Sequence, residues 1–253
     1  MKTYLDRYSN EVAVVTGASS GIGRAIALHL AQAGLKVAVL ARRKERLFDV
    51  VETIQAQGGH ATAFPVDFNQ SEQIEAILEE VRCTLGPIRV LINNAGLGHL
   101  APLMSGKTQD WAEMLQVNIL ALCICTREAV KDMEAHGQWG QVIHISSMAA
   151  HRVPEGSGVY SATKFAVRSL TEGLRKELRE SKSQVRVAAV SPGFVETEFA
   201  EKYHKSAQKA IDTYSAYPVL QSEEIAQSVL YILAQPPHVQ IHDILMRPTQ
   251  QES

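Results

Sequence analysis

Short β-branched runs alternate with longer segments of helical period along almost the whole chain, and no other feature restricts its possible folds so strongly. Runs of this kind predict strands at Val12 to Thr16, Lys36 to Ala41, Ala61 to Val66, Arg89 to Asn93, Gln141 to Ser146, Val185 to Val190 and Gln240 to Leu245. Between them lie helical patterns such as "GRAIALHLAQAG", "ERLFDVVETIQAQGG", "SEQIEAILEEVRCTLG" and "SLTEGLRKELRES", several closing on the glycine expected at a helix C-cap. Parallel neighbours need a crossover helix between them, so the alternation predicts an α/β fold, a doubly wound sheet of seven parallel strands with helices on both faces. No repeat, low-complexity tract or Pro/Gly/Ser linker marks a boundary, and residues 1–253 are expected to form a single domain. Ligands of such sheets bind beyond the carboxyl ends of the strands, which is where functional residues should cluster.

Composition narrows the function by exclusion. With 45% apolar and 21% charged residues the chain can fill a large core and carries too little charge for disorder. A formal net charge of −2 gives no basic footprint for nucleic acid. The opening "MKTYLDRYSNEVAVV" has no apolar segment of leader type, and no apolar run approaches the ~20 residues needed to cross a bilayer. Neither a nucleic-acid nor a membrane partner is expected. Cys83, Cys123 and Cys125 are an odd number without C-x-x-C spacing, which suits a reducing cytoplasm and argues against disulfides or zinc. Cys123 and Cys125 read as small packing residues. His99, His144 and His151 are not spaced as ligands on one element, so no metal is expected.

The stretch "VAVVTGASSGIGRAIALHL" is a strand, a glycine-rich turn and a helix. Gly17 permits a tight turn, Gly21 lets backbone approach a ligand, and Gly23 allows the helix to pack closely while its first amides face an anion. The spacing G-x-x-x-G-x-G is neither the G-x-G-x-x-G fingerprint nor a Walker loop, and a purely structural turn is an equal reading of the glycines alone. The second strand adds an independent clue. A dinucleotide-binding sheet usually ends that strand with an acid about 20 residues past the glycines, to hold ribose hydroxyls. Here Ala41 takes that place, followed by Arg42 and Arg43. Cations at a helix start oppose its dipole, and a 2′-phosphate gripped by a guanidinium would resolve the conflict. The reading is NADP(H) rather than NAD(H).

In "VYSATKFAV", Tyr160 and Lys164 stand four residues apart and so share a helix face. An ordinary surface pair is the bland reading. The chemical one is a phenol whose pKa, near 10 when free, is lowered by the ammonium. Upstream, "VIHISS" ends a strand in two serines, of which Ser147 is expected to look out over the edge. "VLINNAGLG" closes another strand in small residues against which a flat cofactor could lie, and Asn118 interrupts the apolar helix "MLQVNILALC".

Taken together, "TGASSGIG", "NNAG", "ISS", "YSATK" and "SPGFVET", in that order, resemble the short-chain dehydrogenases/reductases over nearly the whole chain. The resemblance implies a Rossmann-type fold and a catalytic tetrad of Asn118, Ser147, Tyr160 and Lys164. It implies cofactor contacts from Gly17, Ser19, Ser20, Gly21, Ile22 and Gly23 in the first turn, and from Arg42 and Arg43. Asp67 and Phe68 would lie beside the adenine, and Asn93, Ala95 and Gly96 would meet the cofactor at the end of their strand. Tyr160 and Lys164 would also touch it, while Pro192, Gly193, Val195 and Thr197 would form the turn beside the carboxamide. No catalytic position departs from the family pattern.

A narrower likeness is carried by "ICTREAV", "LTEGLRKELRE" and "HVQIHDILMRPT". These resemble an NADP-dependent subgroup that reduces ketosteroids and other carbonyls or oxidises alcohols such as farnesol. The ending also resembles the bacterial 3-hydroxy acid and serine dehydrogenases. Residues 195–220 are expected to form a substrate lid with Phe199, Tyr203, Tyr214 and Tyr217 as aromatic walls. Lys202 and Lys205 are the candidates to meet a carboxylate if the substrate is a small hydroxy acid. A medium-sized apolar carbonyl or alcohol is the preferred substrate class. A non-catalytic NADP(H) sensor and an epimerase or dehydratase are the competing classes, the first disfavoured by the intact tetrad. The family likeness and the apolar "VNILALCICTREAV" and "YSATKFAVRSLTEGL" helices imply a homodimer or homotetramer.

Overall fold

A computed structural model describes residues 4–252; Ser253 and Met1 to Thr3, part of the stretch read for a leader, lie outside the described residues. Seven parallel strands, β1 (Val12–Thr16), β2 (Lys36–Ala41), β3 (His60–Pro65), β4 (Ile88–Asn93), β5 (Trp139–Ile145), β6 (Gln184–Pro192) and β7 (Asp243–Met246), form one sheet in the order β3-β2-β1-β4-β5-β6-β7. The order reverses between β1 and β4, where a doubly wound sheet opens a crevice for a ligand.

Side-chain alternation along β1 shows how both faces are filled. Ala13 and Val15 enter one core, with α1 (Gly21–Gln32), α2 (Lys44–Ala56) and the later helix Ser222–Leu233. Val12 and Val14 enter the other, with α3 (Ser71–Leu85), helix Ala121–Ala135 and the long helix Gly158–Glu180. A strand buried on both sides must be apolar at every position, so β1 reads as a continuous apolar run. Gly34, Gly58 and Gly86, which follow the first three helices, all have positive φ, the backbone the C-cap reading requires.

The helices continue as α4 (Thr108–Leu115), α5 (Ala121–Ala135), α6 (Gly158–Glu180), α7 (Phe199–His204), α8 (Ala207–Ser215) and α9 (Ser222–Leu233). A π-helical turn, Gln116–Leu120, joins α4 to α5. The last strand departs from expectation: pairing begins at Asp243, against a predicted start at Gln240. Just before it, the buried guanidinium of Arg186 collects the carbonyls of Gln235, Pro236 and Val239. Those backbone groups are satisfied by a side chain and need no ladder. Among the described residues, no helix is long and apolar enough to cross a membrane.

Candidate active site

The turns after β1, β4, β5 and β6 enclose a cavity of about 770 Å³ that runs from the first glycine turn to the aromatic residues of α7 and α8. At the glycine end, Gly17 (φ +66°) and Gly21 (φ +52°) hold left-handed backbone that lets β1 turn sharply into α1. A Cβ on Gly17 would lie 2.9 Å from the Ala95 Cα, so the turn sits directly against the end of β4. Asn94 stitches the two together: its Nδ2 donates to the carbonyls of Thr16 (2.9 Å) and Gly17 (3.2 Å). The Thr16 hydroxyl in turn accepts from the amides of Asn94 and Ala95. Gly23 has no room for a side chain because Asn94 Nδ2 and the Gly17 carbonyl occupy that space. Its small size therefore serves the turn itself as much as helix packing.

Helix α1 starts with no acidic residue in its first turn and no side-chain cap. The positive end of its dipole is left uncompensated at the cavity rim, beside Gly21 and Ile22, a setting that suits a phosphate. The Ser20 hydroxyl, at the N-cap position, instead accepts from Arg43 Nη2 at 2.6 Å. Arg43 also donates to the Ser19 hydroxyl from Nε and Nη2, and from Nη1 to Glu198 at 2.8 Å. Arg42 lies 4.0 Å from Asp67, whose carboxylate accepts from the backbone and side chain of Asn69. Phe68 is buried in the core beneath. Ser19, Gly23, Arg42, Arg43, Asp67 and Phe68 lie outside the cavity wall; Gly17, Ser20, Gly21, Ile22, Ala95 and Gly96 line it, as do Pro192, Gly193, Val195 and Thr197. Asn93, expected to meet the cofactor at the end of its strand, turns its side chain into the core. Its Nδ2 donates to Thr126 Oγ1 at 2.9 Å inside the core, because alternation on β4 turns it inward and leaves Asn94 to reach the turn.

At the other end, β5 delivers the two serines. Ser146 is buried with an unpartnered hydroxyl, whereas the Ser147 hydroxyl accepts from the Ala149 amide at 3.0 Å and faces the Tyr160 phenol across the cavity wall. Tyr160, in the first turn of α6, packs its ring against Phe199 (5.4 Å between centroids) and Tyr203 (6.0 Å). One turn on, Lys164 is buried and its Nζ donates to the Ile145 carbonyl at 3.1 Å, 5.8 Å from the Tyr160 ring. Burial pulls the Lys164 amine down to about 8. The phenol differs from the lowered value expected from sequence: burial pushes it above its ordinary range, Ser147 pulls it down, and Tyr203 raises it further. The Lys164 ammonium points to a carbonyl and does little for the hydroxyl in this arrangement.

Asn118 lies within the π turn. Its Oδ1 accepts from the Leu97 amide at 2.9 Å, and its Nδ2 donates to the Leu97 carbonyl (2.8 Å) and Thr163 Oγ1 (3.0 Å). A Cβ on Gly96 would sit 3.4 Å from Asn118 Oδ1 and 3.6 Å from Lys164 Nζ, so the two converge on that glycine.

The far wall is aromatic. Phe199, Tyr203, Tyr214 and Tyr217 all line it. Neither lysine read as a carboxylate ligand is available: Lys202 Nζ pairs with Glu198 at 2.7 Å and Lys205 Nζ with Asp110 at 3.2 Å. Charges on exposed helices find nearby acids first.

Several residues of the site escaped the sequence reading. Gly98 sits where three rings meet, since a Cβ there would lie 2.8 Å from both Phe199 and Tyr203 and 3.0 Å from Tyr160. Its signal was present as the further glycine in "NNAGLG". Gln251, near the carboxyl end, is buried and accepts from the Phe194 amide at 3.0 Å, and no local pattern marks it. Arg152 lines the cavity and donates from Nη2 to the Glu252 carbonyl, while its Nε and Nη1 have no partner among the described residues.

A phenol, a hydroxyl, a buried amine and an amide-braced turn on one wall, with an open helix terminus at the far end, make a site for moving a proton beside a bound nucleotide. Known proteins place it. The family model described as short chain dehydrogenase matches residues 11–208. The chain is 46% identical to dehydrogenase/reductase SDR family member 11 of Bos taurus, over 98% of this chain and 99% of the relative. It is 37% identical to farnesol dehydrogenase of Aedes aegypti, over 96% and 98%. Among solved structures it resembles the closed form of serine dehydrogenase complexed with NADP+, with a TM-score of 0.90, 31% identity and 96% of each chain covered. A short chain dehydrogenase/reductase of Burkholderia phymatum in complex with NAD gives a TM-score of 0.84 at 25% identity, over 94% of this chain and 89% of that one. The chain belongs to the short-chain dehydrogenase/reductase family. It is thus an oxidoreductase whose fold serves a nicotinamide nucleotide.

Proposed function

We propose that this protein is an NADP(H)-dependent oxidoreductase interconverting a carbonyl and an alcohol, with Asn118, Ser147, Tyr160 and Lys164 as its working groups. The observation that carries this reading is the Ser147–Tyr160 pair on the wall of a cavity whose other end is an uncapped helix terminus. The nucleotide fits the residues present. The amides around Gly21 and Ile22 would take the pyrophosphate, Arg42 and Arg43 the 2′-phosphate, Asp67 and Phe68 would flank the adenine, and Pro192 to Thr197 would border the carboxamide. When bound, the nicotinamide supplies or accepts the hydride.

The chain's own residues handle the substrate oxygen. Ser147 donates a hydrogen bond to it, and Tyr160 delivers a proton as negative charge grows there, or removes one in reverse. The raised phenol keeps its proton near neutrality and gives it up only as negative charge grows on the substrate oxygen. Removal of that proton needs positive charge nearby, and Lys164 would supply it by turning its Nζ from the Ile145 carbonyl towards the phenol. The π turn widens the helix at Asn118, leaving room for a water between Asn118 and Lys164 through which the proton is replenished.

The substrate read from the walls is a medium-sized apolar carbonyl or alcohol, such as a steroid, a prenol or an aryl ketone. The second reading is a small hydroxy acid, favoured by the incompletely partnered Arg152 guanidinium. Comparing kcat/KM for such compounds with that for serine and 3-hydroxypropionate, with NADPH and NADH in turn, tests both choices. A preference for the acids reverses the substrate reading and makes Arg152 the first residue to replace. Equal use of NADH and NADPH refutes the phosphate reading. We assign the working form to a homodimer or homotetramer, because Leu115, Leu120 and Phe165 leave large apolar side chains exposed along the π turn and α6. Light scattering at micromolar concentration is expected to exceed the monomer mass of 27.8 kDa. A cytoplasmic setting suits the three free cysteines.

A further inference from the structure

Glu198 stands just before α7, at the root of the aromatic wall, and its carboxylate is surrounded by cations from two separate parts of the chain. Arg43 Nη1 reaches it at 2.8 Å and Lys202 Nζ at 2.7 Å, and Arg46 Nη1 forms a third contact. Burial alone would raise this carboxyl, yet bonds from Lys202, Arg46 and Arg43 outweigh it and hold the group far below the usual carboxylate range. The same Arg43 carries the phosphate-binding role in the reading above.

An inventory of donors shows the conflict. Arg43 offers one N–H at Nε and two at each terminal nitrogen. Nε and Nη2 are committed to Ser19, Nη2 also to Ser20, and Nη1 to Glu198. Neither paired edge of the fork is free to take a phosphate in two parallel bonds. A dianion arriving there must displace the carboxylate, because the two anions repel at this distance and the serines, unlike Glu198, can turn their hydroxyls to donate.

We propose that Glu198 is an internal competitor for the phosphate clamp. Resting on the NADP(H) reading, this assigns it two effects: it weakens selection for the 2′-phosphate, and it ties the root of the aromatic wall to whether that phosphate is present. The phosphate takes Arg43, and the segment that starts at Phe199 loses one of its anchors to α2.

Calorimetry with adenosine 2′,5′-bisphosphate and 5′-AMP tests this without turnover. Glu198→Gln keeps the shape and removes the charge. It is expected to tighten the bisphosphate roughly two- to fivefold, the range of a partly exposed ion pair, with AMP unchanged. In the wild-type protein, amide exchange over residues 199–215 is expected to be faster with the bisphosphate than with AMP, and Glu198→Gln should abolish that difference. If Arg43→Gln loses the bisphosphate while Glu198→Gln binds it no better than wild type, the competitor role is wrong and the phosphate reading stands. If Arg43→Gln binds both probes as wild type does, both readings fall.

Discussion

The wall that carries Ser147, Tyr160 and Lys164 grows directly out of the core, whereas the wall made by α7 and α8 rests on it. On α6, Ser161, Thr163 and Lys164 are buried, and Lys164 is bonded to β5. Beneath them His144 bonds Thr171 at 2.8 Å, and Thr126 joins His144 to Asn93, so β4, β5, α5 and α6 share one buried polar chain. By contrast α8 buries no residue at all and α7 only Ala200. Elements with so little buried apolar surface open at low cost. Under the proposed function, one wall would hold the proton donor still and the other would be remodelled around what enters.

Removing the phenol strikes the fixed wall hardest. Tyr160→Phe keeps the ring packing and deletes the acid, so turnover should fall by roughly 10²–10⁴ while nucleotide binding persists. Near-normal turnover on a good substrate would refute the mechanism. Crowding the junction of the two walls is the next largest change. Gly98→Ala places a methyl against Phe199, Tyr203 and Tyr160, which only the loosely held wall can relieve by moving away. The expected loss in kcat/KM is roughly tenfold, with nucleotide affinity unchanged. A loss of nucleotide affinity instead would mean that the displaced wall is the fixed one.

The smallest effect concerns the buried chain under the fixed wall. Burial pulls the His144 imidazole down to about 3, with the positive charges of Lys164 and Arg175 adding to it. An unfolded histidine titrates near 6.5. Between those values the unfolded chain binds a proton that the folded one does not, so stability is lost as pH falls from about 6.5 towards 3. Comparing urea unfolding at pH 7 and pH 5, His144→Gln should lose less stability than wild type, by on the order of 1–2 kcal/mol. An identical pH slope in both proteins would show that His144 is not the group responsible.

The contrast between the walls also explains what could be read in advance. Strands buried on both faces must be apolar throughout, and the turns beyond them carry glycines and polar residues at tight spacing, so β1 to β6 and the residues of the tetrad stand out along the chain. The start of β7 was placed three residues early, because an apolar run does not say where pairing with its neighbour begins. Asn93 and Asn94 are neighbours at a strand end whose side chains face opposite ways, and only register tells which enters the core and which braces the glycine turn. Lys202 and Lys205 were read as open charges since their partners, Glu198 and Asp110, are settled by how α7 packs. The raised phenol likewise depends on rings that meet only in three dimensions.

Gln251 carries one further practical meaning. Its side chain holds the Phe194 amide, and Gln250, Gln251 and Glu252 all border the cavity. These residues are thus part of the cavity's architecture, and a change at Gln251 would be felt at the turn after β6. Gln251→Ala would leave the Phe194 amide without its acceptor and loosen the cavity rim from a position more than fifty residues away in sequence.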